Sequence, residues 1–232
     1  MAKYRIADLI VEMALSGRIK AQAQPYLTET DSSADITISF KHEQLLRKVP
    51  EMTDFSTAEY IGTGALFAVE ILRFDGFQFH ASAVQLDGKA YLFSAPSGTG
   101  KSTHTEKWCR LFGAEIINDD KPVLRCVDGS WIVYGTPWSG KHDLSRPVGI
   151  PLGGIAFLQR GEENTIRRMM PNEAVPAMIG QCLRLVHKGC MGKQLELIDK
   201  LLKEIPIWLL TCRNDDEAAM VSRGAMKIDG SK

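Results

Sequence analysis

Ala95-Pro96-Ser97-Gly98-Thr99-Gly100-Lys101-Ser102 is the stretch of this sequence whose residue types and spacing point most directly to chemistry. Small residues and glycines let successive main-chain N–H groups turn inward and cradle phosphate oxygens. Lys101 is placed to reach the β- and γ-phosphates, and the Ser102 hydroxyl to ligate Mg²⁺. The apolar run Ala90-Tyr91-Leu92-Phe93 reads as a buried strand, and Thr103 to Phe112 as a helix. The positive end of that helix dipole faces the same anion. Strand, glycine loop, Gly-Lys-Ser and helix form the pattern of a phosphate-binding P-loop. Ala95 stands where the pattern has its first glycine. Alanine tolerates positive φ poorly, so the start of the loop is expected to differ from that of a common ATPase.

The second group is Asp119-Asp120, which ends the apolar run Ala114 to Ile117 and begins 18 residues after Lys101. One helix and one turn fill that gap, so both loops reach one edge of a sheet. Of two adjacent carboxylates at a strand end, one can hold Mg²⁺. The other can accept the proton of an attacking hydroxyl. Such a close pair titrates as a unit, and spacing does not divide the two roles. Asn-Asp-Asp is also good turn chemistry. Other candidates are more isolated. His80 lies in an alternating stretch on the side of Ser82; a structural histidine is its plain alternative. Lys141, after Ser139-Gly140, can reach a transferring phosphate or simply be solvated. Arg160 ends the run 153–158, where open sheets place ligand contacts, and can serve as an internal arginine finger. His104 and Thr105, in the first helical turn, can touch the α-phosphate or adenine.

The elements that must position these groups are read from periodicity and turn signals. Residues 4–15 suggest a strand with a short helix, 22–35 a loop, and Ile36 to Phe40 a half-buried strand. Residues 41–60 carry no period. Gly64 to Phe74 reads as a helix, Phe77 to Leu86 as one strand, and Asp87-Gly88 as a hairpin turn into the strand before the P-loop. Gly113 ends the next helix. Strands are expected at 123–127 and 130–134 around Asp128-Gly129, and at 153–158 and 207–210. Helices are expected at 169–180, at 181–204 with a break at Gly189 and Gly192, and at 215–225. The organisation expected is a small N-terminal lobe over 1–75, a catalytic domain over 76–226 and a frayed tail over 227–232.

The chain has 232 residues, 44% of them hydrophobic, enough for one α/β domain with an appendage. Its 28 basic and 28 acidic residues balance, which argues against a basic nucleic-acid footprint. Five scattered cysteines without a C-x-x-C suggest reduced thiols in the cytoplasm and no zinc site. No leader or spanning segment is legible. Oligomeric state is open; a homo-oligomer is compatible.

Phe79-His80-Ala81, the strand into Ala95–Ser102, and Ile116-Ile117-Asn118-Asp119-Asp120 together resemble the catalytic domain of HPr kinase/phosphorylase, a relative of phosphoenolpyruvate carboxykinase. The resemblance covers residues 76–160, and more weakly runs to 225. The larger N-terminal domain of HPr kinase has no counterpart in residues 1–75. In place of that family's Gly-rich signature stands Gly135-Thr136-Pro137-Trp138-Ser139-Gly140-Lys141-His142. The likeness is closer to free-standing HPr-kinase-related proteins. It implies an α/β fold, a mixed sheet with flanking helices, of the phosphoenolpyruvate carboxykinase-like P-loop kind, with a small N-terminal α+β lobe. It implies ATP, Mg²⁺ and phosphoryl transfer to a serine-like hydroxyl of a peptide, protein or metabolite. Carried over by residue, Ser97, Gly98, Thr99, Gly100, Lys101, Ser102 and Thr103 hold the nucleotide. Ser102 and Asp120 hold the metal, Asp119 is the base, and His80 sits beside Asp119 and tunes its protonation. Two other readings stay open. A phosphorylase would use inorganic phosphate to strip a phosphoserine and release pyrophosphate. A nucleotide-binding regulatory module would have no need of a base.

Overall fold

A computed structural model describes residues 1–43, 54–140, 142–183 and 188–228. The fold is mixed α/β, built on a curled sheet of nine strands with helices on both faces and a separate three-stranded sheet.

The chain opens as a hairpin, β1 (Ala2–Ile6) and β2 (Leu9–Met13), not as the strand and helix expected for 4–15. The missed signal was a turn without glycine: Ala7 and Asp8 both take positive φ, at 53° and 61°. Arg125 Nη1 donates to Ala7 O, and the Tyr134 hydroxyl donates to Asp8. Helix α1 (Gly17–Ala23) follows, in a stretch whose end was read as loop, and β3 (Ile36–Ile38) pairs in parallel with β2. Helix α2 runs Phe55–Glu70, nine residues earlier at its start than the apolar period suggested. Asp54 caps it by accepting from Thr57 N at 2.8 Å, satisfying a first-turn donor.

The stretch expected to be one strand over 77–86 is two. Strand β4 (Gly76–Gln78) and β5 (Ser82–Leu86) have different neighbours. Strand β4 pairs with β8 (Val123–Val127), and β5 pairs with β7 (Glu115–Asn118), both antiparallel. The chain therefore turns a corner at Phe79-His80-Ala81, directly opposite the corner at Asp119-Asp120. Main-chain bonds from Phe79 N to Pro122 O (3.1 Å) and from Ala81 N to Asp120 O (3.1 Å) join the two corners.

Strand β6 (Lys89–Ser94) is reached from β5 through Asp87 and Gly88, both at positive φ as a two-residue hairpin requires. Helix α3 (Lys101–Phe112) ends at Gly113, whose N–H bonds to Cys109 O at 3.0 Å. Strand β9 (Ser130–Tyr134) completes the Asp128-Gly129 hairpin with β8. Strand β10 is long, Gly149–Arg160, and shifts register between Leu152 and Gly154. Its first residues pair with β9; its remainder runs parallel to β6 and to β12 (Ile207–Cys212). This one strand joins the two wings of the sheet. A short β11 (Thr165–Arg168) borders β12.

One face of the sheet, with Tyr91, Phe93, Ala156 and Leu210, packs on Trp108 of α3 and on α6 (Asp216–Ile228). The other, with Phe79, Leu92, Ile155 and Phe157, packs under α4 (Pro171–Gly180) and α5 (Lys188–Glu204). Gly189 and Gly192, expected to break the helix, lie inside α5; Gln181 to Leu183, expected to be helical, are not, and residues 184–187 lie outside the described residues. A third cluster joins β1–β3, α1 and α2 to Val123, Tyr134 and Trp138. Trp138 is fully buried, stacked on Phe67 at 4.8 Å, with Gly64 providing the room for its ring. Among the described residues no helix is long and apolar enough to cross a membrane.

Candidate functional site

The glycine loop leaves β6 at Ser94 and enters α3 at Lys101. Ala95 is buried without positive φ; only Gly98 (78°) and Gly100 (120°) take it. The missing first glycine therefore imposes no strain, because the left-handed residues lie further along. Thr99 N donates to Pro96 O at 3.3 Å, and His104 N to Gly100 O at 2.9 Å, which begins the helix. Ser97, Gly98, Ser102 and Thr103 are exposed, and Thr99 and Gly100 are half-buried, so the loop and first turn face open space.

Lys101 is 9% exposed and donates through Nζ to Ala95 O at 3.0 Å. Burial lowers its pKa, and the nearby charge of Asp120 opposes that shift. Arg160, at the end of β10, reaches back over the loop: its Nη2 donates to Gly98 O at 2.7 Å. The expectation of an arginine at this strand end thus becomes a contact with the loop's own backbone. A cleft of about 400 Å³ opens beside it, walled by Gly98, Thr103, Lys107, Arg160 and Arg213.

His104 and Thr105, which the sequence leaves free to touch the α-phosphate or adenine, or His104 to be exposed, are instead buried and turned inward. His104 Nε2 lies 3.0 Å from Ser222 Oγ on α6, and its ring packs on Phe93. Burial pushes its pKa down to about 4. Thr105 Oγ1 lies 3.1 Å from Ser82 Oγ. Helical pitch points both residues at the sheet.

The two corners bring the acids and the histidine together. Asn118 shapes the acidic corner: its Oδ1 accepts from Asp120 N (2.9 Å) and Lys121 N (2.7 Å), and its Nδ2 donates to Thr136 O. His80 N donates to Gln181 O at 2.8 Å, and Ser94 Oγ donates to His80 O at 2.8 Å. This ties the histidine to the residue from which the loop departs. His80 Nδ1 is 3.0 Å from Gln181 Oε1, and its Nε2 is 3.4 Å from Asp120 Oδ1. The resemblance implied that His80 adjoins Asp119; the contact is with Asp120, because consecutive carboxylates leave the chain in different directions. Burial, then Lys101, lowers the His80 pKa, against the pull of Asp120. Asp120 Oδ2 also pairs with Lys121 Nζ at 3.3 Å.

Asp119 faces the loop after β9. It is 8% exposed, and its Oδ1 is buried without a hydrogen-bond partner. Burial, and then the charge of Asp120, raises its pKa to about 6. That loop is held by the N-terminal segment: Gly140 N donates to the Tyr60 hydroxyl at 3.2 Å, Gln22 Nε2 to Ser139 Oγ at 3.1 Å, and Arg18 to Gly140 O. Lys141 lies outside the described residues. Tyr60, Gln181 and Arg18 escaped the sequence reading, since only their contacts with the two corners mark them. Among the described residues no group of three or more His, Cys, Asp or Glu side chains could hold a metal. The pair that the resemblance implies for one, the exposed Ser102 hydroxyl and the Asp120 carboxylate, would offer oxygen donors of the kind a hard cation takes.

No family model matches the chain, and a search of curated proteins finds no match. Among solved structures it is similar to the Hpr(Ser) kinase/phosphatase from Coxiella burnetii. The identity is 11% and the TM-score 0.40, over 65% of this chain and 97% of that one.

Proposed function

We propose that the chain is an ATP- and Mg²⁺-dependent kinase that transfers the γ-phosphoryl group to a serine-like hydroxyl. One observation carries this reading: His80 and Asp120, from facing corners of the sheet, meet at 3.4 Å within the electrostatic reach of Lys101. A lysine after a glycine loop, an acid and a histidine converge there from three separate parts of the chain.

In this reading the loop is a P-loop. The amides of Ser97 to Thr103 and the Lys101 ammonium hold the triphosphate, and Arg160 fixes the loop's shape through Gly98 O. Lys141 is proposed as a further phosphate contact. Ser102 and Asp120 are the ligands offered to Mg²⁺, which when bound neutralises charge on the β- and γ-phosphates. The unpartnered Oδ1 of Asp119 takes the acceptor's hydroxyl proton. The acceptor oxygen bonds to the γ-phosphorus as the bond from that phosphorus to the ADP oxygen breaks. A phosphate monoester and ADP result, and the proton passes from Asp119 to solvent. Most of the work is positioning and charge neutralisation.

The test is transfer from γ-labelled ATP to seryl acceptors. Lys101→Ala should lower kcat at least about 100-fold, as loss of a group stabilising transition-state charge does. Asp119→Asn should abolish transfer while sparing nucleotide affinity, and Asp120→Asn should raise the Mg²⁺ concentration needed for half-maximal activity. A Lys101→Ala protein turning over at the wild-type rate refutes the reading.

A further inference from the structure

The polar groups of His80 are all met, and one residue meets two of them. Its carbonyl accepts from Ser94 Oγ at 2.8 Å, and its Nε2 lies 3.4 Å from Asp120 Oδ1. Its N–H donates to Gln181 O at 2.8 Å, and its Nδ1 lies 3.0 Å from Gln181 Oε1. Gln181 thus touches the histidine twice, main chain to main chain and side chain to side chain. The two residues are 101 positions apart, so no local preference arranges this.

Gln181 is itself held. It follows the last residue of α4, where its N–H donates to Met178 O at 3.1 Å. Ala174 and Met178 of that helix share a hydrophobic cluster with Phe79. Phe79 and Cys182 pair as an isolated antiparallel bridge. The main-chain bonds and this packing fix the corner without help from the Gln181 side chain. What they leave free is the rotation of the His80 ring. A half-turn about the last side-chain bond would set Cδ2 against Gln181 and Cε1 against Asp120, and both polar contacts would be lost. The Gln181 amide favours the orientation seen, and it does so from an element that carries neither the acids nor the glycine loop.

The same contacts decide where the ring keeps its proton. At about pH 8, above the ordinary histidine range, an imidazole carries one. A carboxylate has none to give, so Asp120 is satisfied only by an N–H on Nε2. Nδ1 then needs a donor. An amide can present either end, and a half-turn of the Gln181 terminal group brings its NH₂ to Nδ1 with every other contact kept. Lys101 and Lys121 are the cations near the ring, and Lys121 already pairs with Asp120 Oδ2 at 3.3 Å. With Lys121 on one oxygen and His80 on the other, the Asp120 carboxylate is held from both sides.

We infer that Gln181 is a positioning residue: it pins the His80 ring with the ring proton on Nε2, and through that ring it sets the orientation of the Asp120 carboxylate. Partners that hold a ligating group by hydrogen bonds fix its geometry and its strength as a ligand. The inference rests on the kinase reading for the use made of Asp120, but not for the state of the ring.

Nuclear magnetic resonance of the full chain with ¹⁵N-labelled histidine rings, at about pH 8 and without nucleotide or metal, tests it. His80→Asn identifies the signals of this ring. The wild type should show one His80 ring N–H, on Nε2. Gln181→Leu keeps the main-chain bonds and removes the amide; it should populate both tautomers or lose the N–H signal to exchange with water. Gln181→Met repeats the test with an unbranched side chain if circular dichroism shows that the leucine variant does not fold. A wild-type proton on Nδ1, or a His80 signal unchanged in a folded variant, overturns the assignment. In transfer from γ-labelled ATP the variant should need at least about tenfold more Mg²⁺ for half-maximal rate, with the KM for ATP within about twofold of the wild type. Transfer with an unchanged Mg²⁺ requirement overturns it as well. A wild type with the expected ring signal and no transfer sinks the kinase reading and leaves the placement of the ring intact.

Discussion

Lys101 and His104 lie three positions apart at the start of α3 and have opposite surroundings. The lysine stays at the loop, where its ammonium bonds to Ala95 O. The histidine is sealed between the sheet and α6 with Ser222. Its pKa is about 4 when folded and about 6.5 when unfolded, so between those values the unfolded chain binds more protons. Stability is therefore full above about pH 6.5 and falls as pH drops towards 4, by on the order of 3 kcal/mol at most. His104→Gln should flatten that part of the profile of Tm against pH; an unchanged profile would mean that His104 is not the group responsible. For His104, in the helix's first turn, the sequence leaves a ligand contact and an exposed position equally open, and the structure shows neither. Nothing local in Lys-Ser-Thr-His-Thr says which side of the turn meets the sheet. By contrast, the loop residues were legible, since glycine, lysine and serine at that spacing describe their own backbone.

Among the elements, the glycine loop and the paired corners differ in how they are encoded. The loop is local: two glycines at positive φ between a strand and a helix. It is completed from outside by Arg160, and Arg160→Met should free Gly98 O. If the chain is the proposed kinase, the KM for ATP should rise about threefold to tenfold with a smaller change in kcat, the effect of one charge-assisted but solvent-exposed bond. Steady-state kinetics on that variant checks it. The corners are non-local. Residues 77–86 alternate well enough to read as one strand. Only the two different partners, β8 and β7, reveal the bend that sets His80 against Asp120. A third strut is Gly135, where an added Cβ would lie 1.9 Å from Arg146 O and 2.8 Å from Ile117 O. Both are backbone atoms, so the clash cannot be relieved by a rotamer. Gly135→Ala should cost about 3 kcal/mol or more, measured by urea unfolding, and should disturb the Asp119 corner with it.

Across the whole molecule, the N-terminal strands and helices are joined to the larger sheet through packing. Val123, Tyr134 and Trp138 share one hydrophobic cluster with β1–β3, α1 and α2. Trp138→Ala should cost about 3–5 kcal/mol and lower a single unfolding transition seen equally by far-ultraviolet and fluorescence probes. Two separated transitions would mean that the segments fold independently. Removing residues 1–75 should expose that cluster and release the loop carrying Gly140, giving a chain that aggregates or loses the Asp119 environment. A well-folded fragment 76–226 with full activity would contradict this. The N-terminal segment had little signal in the sequence because its hairpin turns on Ala7-Asp8 and its long helix begins at an aspartate cap, neither of which shows in hydrophobic period.

The amino-acid sequence by itself determined the glycine loop, the strand and helix around it, the acidic strand end and the two Asp-Gly hairpins. Each follows from φ preference, helix capping or alternation within a few residues. Tertiary structure alone decided which acid meets the histidine, that Arg160 rests on the loop and that His104 is buried. Those outcomes depend on which strands pair and how far the sheet curls. They are settled by contacts between residues far apart in the chain: His80 and Gln181 are 101 positions apart, and His104 and Ser222 are 118. No local preference can carry that information.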